Sequence, residues 1–74
     1  IQNLIAANLE SSALTARQVE ILEMLARGLS NHDIATALRL SENGVKFHLR
    51  GLFAKLGAAT RTEAVAVALR RRLL

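Results

Sequence analysis

Ser30-Asn31-His32-Asp33-Ile34-Ala35-Thr36-Ala37-Leu38-Arg39-Leu40-Ser41-Glu42-Asn43-Gly44-Val45-Lys46-Phe47-His48-Leu49-Arg50-Gly51-Leu52-Phe53-Ala54-Lys55-Leu56-Gly57 is the stretch around which the chain is organised. It predicts a short helix capped by Ser30, a tight turn at Arg39 and Leu40, and a longer helix capped by Ser41 and stopped by Gly57. Ser30 with Asp33 has the spacing of a capping box. The short helix is below the length that persists alone in water, so packing through Ile34, Ala35 and Leu38 must hold it. Helix, tight turn, helix is the helix-turn-helix arrangement.

The longer helix spans roughly 22 Å at 1.5 Å per residue, enough to lie along a groove. At about 100° per residue, Val45, Leu49, Leu52 and Leu56 share one face, bordered by His48 and Phe53. The opposite face carries Asn43, Lys46, Phe47, Arg50 and Ala54. Those side chains suit a DNA major groove: Arg and Lys donate to guanine N7 and O6, Asn pairs with adenine, and Phe touches a thymine methyl. Gly44 and Gly51 lie seven residues apart on a lateral stripe. Each costs about 1 kcal/mol relative to Ala inside a helix, which asks for the close approach either of a sugar-phosphate chain or of a neighbouring helix. Free amides at the start of the short helix, around Asn31 and His32, offer a positive dipole end to a phosphate. Ordinary capping is the plainer account of the same residues.

Toward the N-terminus, Thr15 opens another helix, with Gln18 completing a capping box, Leu14 and Val19 placed as a hydrophobic staple, and Gly28 as the left-handed stop. Ile21, Leu22, Leu25 and Ala26 form its buried face, while Arg17, Glu20, Glu23 and Arg27 read as solvated or locally paired charges. Residues 1 to 13 place Ile1, Leu4, Ile5 and Leu9 at helical spacing before Ser11 and Ser12, which fits an N-terminal helical extension or a linker. Toward the C-terminus, Thr60 with Glu63 predicts a third capping box opening a last helix that is apolar nearly all round. Val65, Ala68 and Leu69 would face its own domain. The surplus, Ala64, Val67 and Leu74 with Arg71 at the same edge, reads as a dimer interface or as small residues tolerated at a surface. Arg70, Arg71 and Arg72 make a favourable charge run at a helix C-terminus.

Composition agrees with an all-α domain. The chain has 74 residues, no proline, cysteine or tryptophan, and only Phe47 and Phe53 as aromatics. A domain this size buries only roughly 60% of its unfolded surface, so its core is thin. Without cysteine there is no disulfide framework, which fits a reducing cytosol, and a cytoplasmic protein is expected. No apolar run approaches a membrane span, and no basic leader precedes one. The net charge of +4 is unevenly spread: residues 1 to 38 carry two bases against four acids, and residues 39 to 74 carry eight bases against two acids. The basic half holds the groove-facing helix, which suggests a polyanionic partner. His32 and His48 stand 16 positions apart without a thiol or convergent carboxylate, so neither a metal nor another cofactor is expected.

The ordered set Leu14-Thr15-x-Arg17, Glu20-Ile21-Leu22, Leu25-Ala26-x-Gly28-x-Ser30-Asn31, Ile34-Ala35, Leu38, Ser41, Val45-Lys46-x-His48, Lys55-Leu56-Gly57 and Arg61-Thr62-Glu63-Ala64-Val65 resembles the LuxR-type DNA-binding domain of bacterial transcription regulators. The resemblance covers residues 14 to 74. It implies a four-helix, tetrahelical helix-turn-helix bundle whose third helix, residues 42 to 56, reads the major groove and whose fourth mediates dimerisation. The family's base-reading positions fall on Lys46, Phe47 and Arg50. Its phosphate-backbone contacts fall on Ser30, Asn31, His32, Asn43, Gly44, Lys55 and Arg61. Three residues depart from the family pattern: Gln18 replaces the usual Glu, Gly44 the usual Thr, and Gly51 a larger polar residue. The first removes a charge from a polar interaction expected between the first and third helices, and the second removes a hydroxyl from the phosphate contacts.

The expected partners are double-stranded DNA, a second copy of the chain on an inverted repeat and, further, RNA polymerase, with no membrane. The chain is expected to be part of a longer regulator whose receiver or sensor precedes Ile1. Two other readings are a promoter-binding domain like that of a sigma factor, which would not require an apolar last helix, and a basic helical module that binds an acidic protein. An enzyme is not expected, because no nucleophile, base and oxyanion arrangement and no phosphate loop are legible.

Overall fold

The computed structural model describes residues 13 to 74 as four helices joined by short loops: α1 (Ala16–Ala26), α2 (Asn31–Leu38), α3 (Glu42–Leu56) and α4 (Arg61–Arg70). The helical pattern expected over Ile1, Leu4, Ile5 and Leu9 lies outside the described residues. Among the described residues there is no strand, and no helix is long and apolar enough to cross a membrane.

Each helix starts on a hydroxyl. At Thr15 both halves of the capping box form: Gln18 N–H donates to Thr15 Oγ1 at 3.1 Å and Thr15 N–H donates to Gln18 Oε1 at 2.9 Å. Ser30 and Asp33 do the same at 3.1 and 3.3 Å. Ser41 Oγ accepts from Gly44 N–H at 3.0 Å. The box expected at Thr60 is only half made, with Glu63 N–H on Thr60 Oγ1 at 3.1 Å. Thr60 lies at φ −135°, against −73° and −76° at Thr15 and Ser30, which swings its N–H out of reach of the Glu63 carboxylate.

All four helices end with one device. A residue in the left-handed region follows the last turn, and the next N–H reaches back to the carbonyl five residues earlier: Leu29 to Met24, Leu40 to Ala35, Ala58 to Phe53 and Leu73 to Ala68, at 2.8 to 3.1 Å. Gly28 (φ +84°) and Gly57 (φ +67°) supply two of these turns without strain. Arg39 and Arg72, both at φ +57°, supply the others. A β-carbon disfavours that conformation by about 1–2 kcal/mol, so the closing hydrogen bonds and the packing of Leu40 and Leu73 must offset it.

The core gathers around α3, which packs on each of the other helices. Val45, Leu49, Leu52 and Leu56 point inward as their spacing predicts; they meet Ile21, Leu22 and Leu25 of α1 and Ile34 and Ala35 of α2. Each fully buried Leu or Ile contributes about 1.5–3 kcal/mol.

On α4 the face expected to be free is the buried one. Ala64, Val67 and Ala68 are within the core, whereas Leu69 is 60% exposed and Val65 only half-buried. Ala64 and Val67 therefore cannot offer their side chains to a second copy. The stripe is rotated by about one residue, or 100°, from the one read off the sequence, because a run of Ala and Val has no polar side to mark its orientation. Leu73 and Leu74, each 41% exposed, follow on the tail. Arg71 folds back over the end of α3, its Nη1 3.5 Å from the Lys55 carbonyl.

Candidate nucleic-acid interface

The exposed face of α3 is set by the core on its other side. Burying Val45, Leu49, Leu52 and Leu56 turns Asn43, Lys46, Phe47, Arg50 and Ala54 outward, and all five are exposed. Lys46 and Arg50, four residues apart, form one cationic column with Phe47 beside it. Phe47 is 68% exposed, the most exposed large apolar side chain among the described residues. Its ring stands at 74° to that of His48, with centroids 5.5 Å apart. Edge-to-face pairs at such separations are favoured by the ring quadrupoles, by about 0.5–1.5 kcal/mol beyond their area. Gln18, Phe47, His48, Arg50 and Gly51 line a shallow concavity of about 290 Å³ where α1 meets the exposed face of α3.

Two helix N-termini flank this face. In α2 the cap satisfies Asp33 N–H, and Ile34 N–H bonds the Ser30 carbonyl, which leaves the amides of Asn31 and His32 ahead of the first intrahelical bonds. The Ser30 hydroxyl accepts from Asp33 and keeps its own hydrogen for a further acceptor. Asn31 is half-buried, and its Oδ1 is enclosed without a hydrogen-bond partner. In α3 the amides of Glu42 and Asn43 stand in the same position, since Gly44 N–H is taken by Ser41 Oγ and Val45 N–H by the Ser41 carbonyl. The two starts meet across the turn, where His32 Nδ1 lies 3.5 Å from Glu42 Oε2. Anions are favoured at such ends by the partial positive charge of the unpaired amides.

Two residues expected on phosphates also make hydrogen bonds within the fold. Lys55 Nζ donates to the Ala13 carbonyl at 2.8 Å and to Gln18 Oε1 at 3.0 Å, linking α3 to the start of α1. Arg61 Nη1 donates to the Leu29 carbonyl at 3.1 Å, linking α4 to the loop between α1 and α2. These long side chains find internal carbonyls that no local pattern announces, because their partners lie 42, 37 and 32 positions away in sequence. The polar interaction expected between the first and third helices is made here through the Gln18 amide oxygen.

The two helical glycines have separate explanations. A β-carbon on Gly51 would come within 3.1 Å of Gln18 Nε2, so a neighbouring helix is what approaches there. On Gly44 it would meet Ser41 Oγ at 3.3 Å and Leu40 Cβ at 3.7 Å, both belonging to the turn that starts α3. Among the described residues no cluster of three His, Asp or Glu side chains is placed to hold a metal.

The family model of bacterial regulatory proteins, luxR family, matches residues 12 to 68. The chain is 52% identical over 56 residues to the CsgBAC operon transcriptional regulatory protein of Escherichia coli K12, covering 76% of this chain and 26% of that protein. It is 44% identical over 61 residues to the nitrate/nitrite response regulator protein NarP of the same organism, covering 82% and 28%. Among solved structures, the response regulator ChrA of a heme-sensing two-component system superposes with a TM-score of 0.81 at 47% identity, over 84% of this chain and 31% of that one. The chain thus spans between a quarter and a third of the length of these proteins.

Proposed function

The chain belongs to the luxR family of bacterial regulatory proteins, and from that premise we propose that it is the sequence-specific DNA-binding effector domain of a bacterial transcription regulator. The observation that carries the reading is the outward face of α3, where two cations and an exposed phenyl ring stand together opposite a fully apolar core face. Lys46, Phe47 and Arg50 read base edges in the major groove. Ser30, the first-turn amides of α2 at Asn31 and His32, and the start of α3 at Asn43 and Gly44 grip the phosphates on either side. Phosphate contacts supply most of the affinity and the three groove residues supply the discrimination.

The domain works as a two-fold pair on an inverted repeat, which doubles the footprint and matches operator symmetry to protein symmetry. The exposed Leu69 of α4 and Leu73 and Leu74 of the tail are the apolar side chains left for that contact. Selection of bound duplexes from a randomised pool at near-physiological salt tests both statements. A symmetric motif supports base reading and, through its half-site spacing, the pair; featureless enrichment would leave only a basic surface.

A further inference from the structure

Of the three proposed base readers, Phe47 alone has no hydrogen-bonding atom in its side chain, so donors and acceptors on base edges are invisible to it. The apolar feature that distinguishes bases in the major groove is the C5-methyl group of thymine. A phenyl ring standing free in water would exchange among staggered rotamers and lose part of that contact to ordering. Phe47 does not stand free: His48, half-buried at the rim of the core, sets its ring at 74° to the phenyl with centroids 5.5 Å apart. The two rings line the same concavity as Arg50 and Gly51, and the missing side chain at Gly51 keeps it open.

Resting on the DNA-reading assignment, we propose that Phe47 reads the C5-methyl group of one pyrimidine in each half-site, and that His48 is the positioning residue that holds the ring toward it. The contact is made to the methyl and not to the rest of the base. The same position therefore responds to methylation of cytosine: 5-methylcytosine presents the same group on a different hydrogen-bonding edge.

The test starts from the duplex enriched by selection and replaces each thymine in turn with deoxyuridine, which lacks only the methyl. One thymine per half-site is expected at which uracil weakens binding about fourfold, the transfer free energy of one buried methyl group. Cytosine and 5-methylcytosine placed there should differ by the same factor. Phe47→Ala should bring both ratios to one. His48→Ala and His48→Asn, each checked for helical content and thermal unfolding, should move the ratios toward one without changing the salt dependence of binding, and His48→Phe should restore them.

No thymine sensitive to loss of its methyl, or a sensitivity that persists in Phe47→Ala, overturns the methyl reading while base reading by Lys46 and Arg50 stands. Full ratios in folded His48→Ala or His48→Asn overturn the positioning role. A protein that enriches no motif at all refutes the DNA-reading assignment, and the methyl reading falls with it.

Discussion

Lys55 Nζ and Gln18 Oε1 are 3.0 Å apart, and this bond ties the C-terminal turn of α3 to the N-terminal turn of α1. The same Gln18 oxygen accepts Thr15 N–H at 2.9 Å, so one amide serves at once as helix cap and as inter-helix link. Gln18 is only 7% exposed. An acceptor so enclosed costs free energy when a donor is withdrawn, because water cannot fully replace it.

Replacing Lys55 with Met, which keeps the aliphatic stem, is expected to lower unfolding stability by about 1–2 kcal/mol. Its effect on DNA affinity should not depend on salt. Thermal unfolding together with the slope of log K against log salt separates the possibilities. A slope reduced by about one would instead return Lys55 to the phosphates.

Gly51→Ala sets helix propensity, worth about 1 kcal/mol in favour of Ala, against a 3.1 Å approach to Gln18 Nε2. The Gln18 amide cannot easily retreat, since its oxygen is held by Thr15 and Lys55. In the native background the substitution should therefore bring no stability, whereas with Gln18→Ala it should bring most of that 1 kcal/mol. A double-mutant cycle by chemical denaturation measures the coupling; simple additivity would show that the contact is not limiting.

The helix stops make opposite predictions at two positions. Gly57, at φ +67° with open space around it, should lose about 1 kcal/mol on replacement by Ala, from backbone strain alone. Arg39, exposed at φ +57°, should gain up to about 1 kcal/mol on replacement by Gly. Midpoints of denaturation at constant m-value give both signs.

Burial on α4 separates folding from pairing. Ala64→Leu forces extra volume into a fully enclosed site and is expected to destabilise the domain by about 1–3 kcal/mol. Leu69→Ser alters an exposed position and should leave stability within about 0.5 kcal/mol while weakening self-association on DNA. Analytical ultracentrifugation with a duplex containing both half-sites reads the second effect, and an unchanged 2:1 complex would place the pairing surface elsewhere.

Arg50→Ala is expected to cost about 1–3 kcal/mol of binding and to relax the preference at one base position. Repeating the duplex selection with the variant distinguishes that outcome from a uniform loss across sequences, which would make Arg50 a phosphate contact.

Local order was legible in the sequence wherever one side chain does the work. A hydroxyl three residues ahead of an N–H it can accept marked Thr15, Ser30, Ser41 and Thr60 as helix starts. Glycine marked the stops at 28 and 57. The equivalent turns at Arg39 and Arg72 carry no such sign, because an arginine adopts the left-handed conformation only when surrounding contacts impose it. The amphipathic face of α3 was legible for a similar reason: four aliphatic residues at helical spacing leave one orientation in which the charges meet water.

The sequence by itself thus determined the all-helical class, the helix-turn-helix, and the side on which Lys46, Phe47 and Arg50 stand. Only the tertiary structure decided how α4 is turned and which cations are free. Ala and Val differ too little in polarity to orient a helix before it packs, so the fit against α1 and α3 buried Ala64 and Val67 and left Leu69 outside. Lys55 and Arg61 look like phosphate ligands in sequence because a cation's charge is local. Their hydrogen-bond partners are remote in the chain, and folding alone brought the carbonyls of Ala13 and Leu29 within reach.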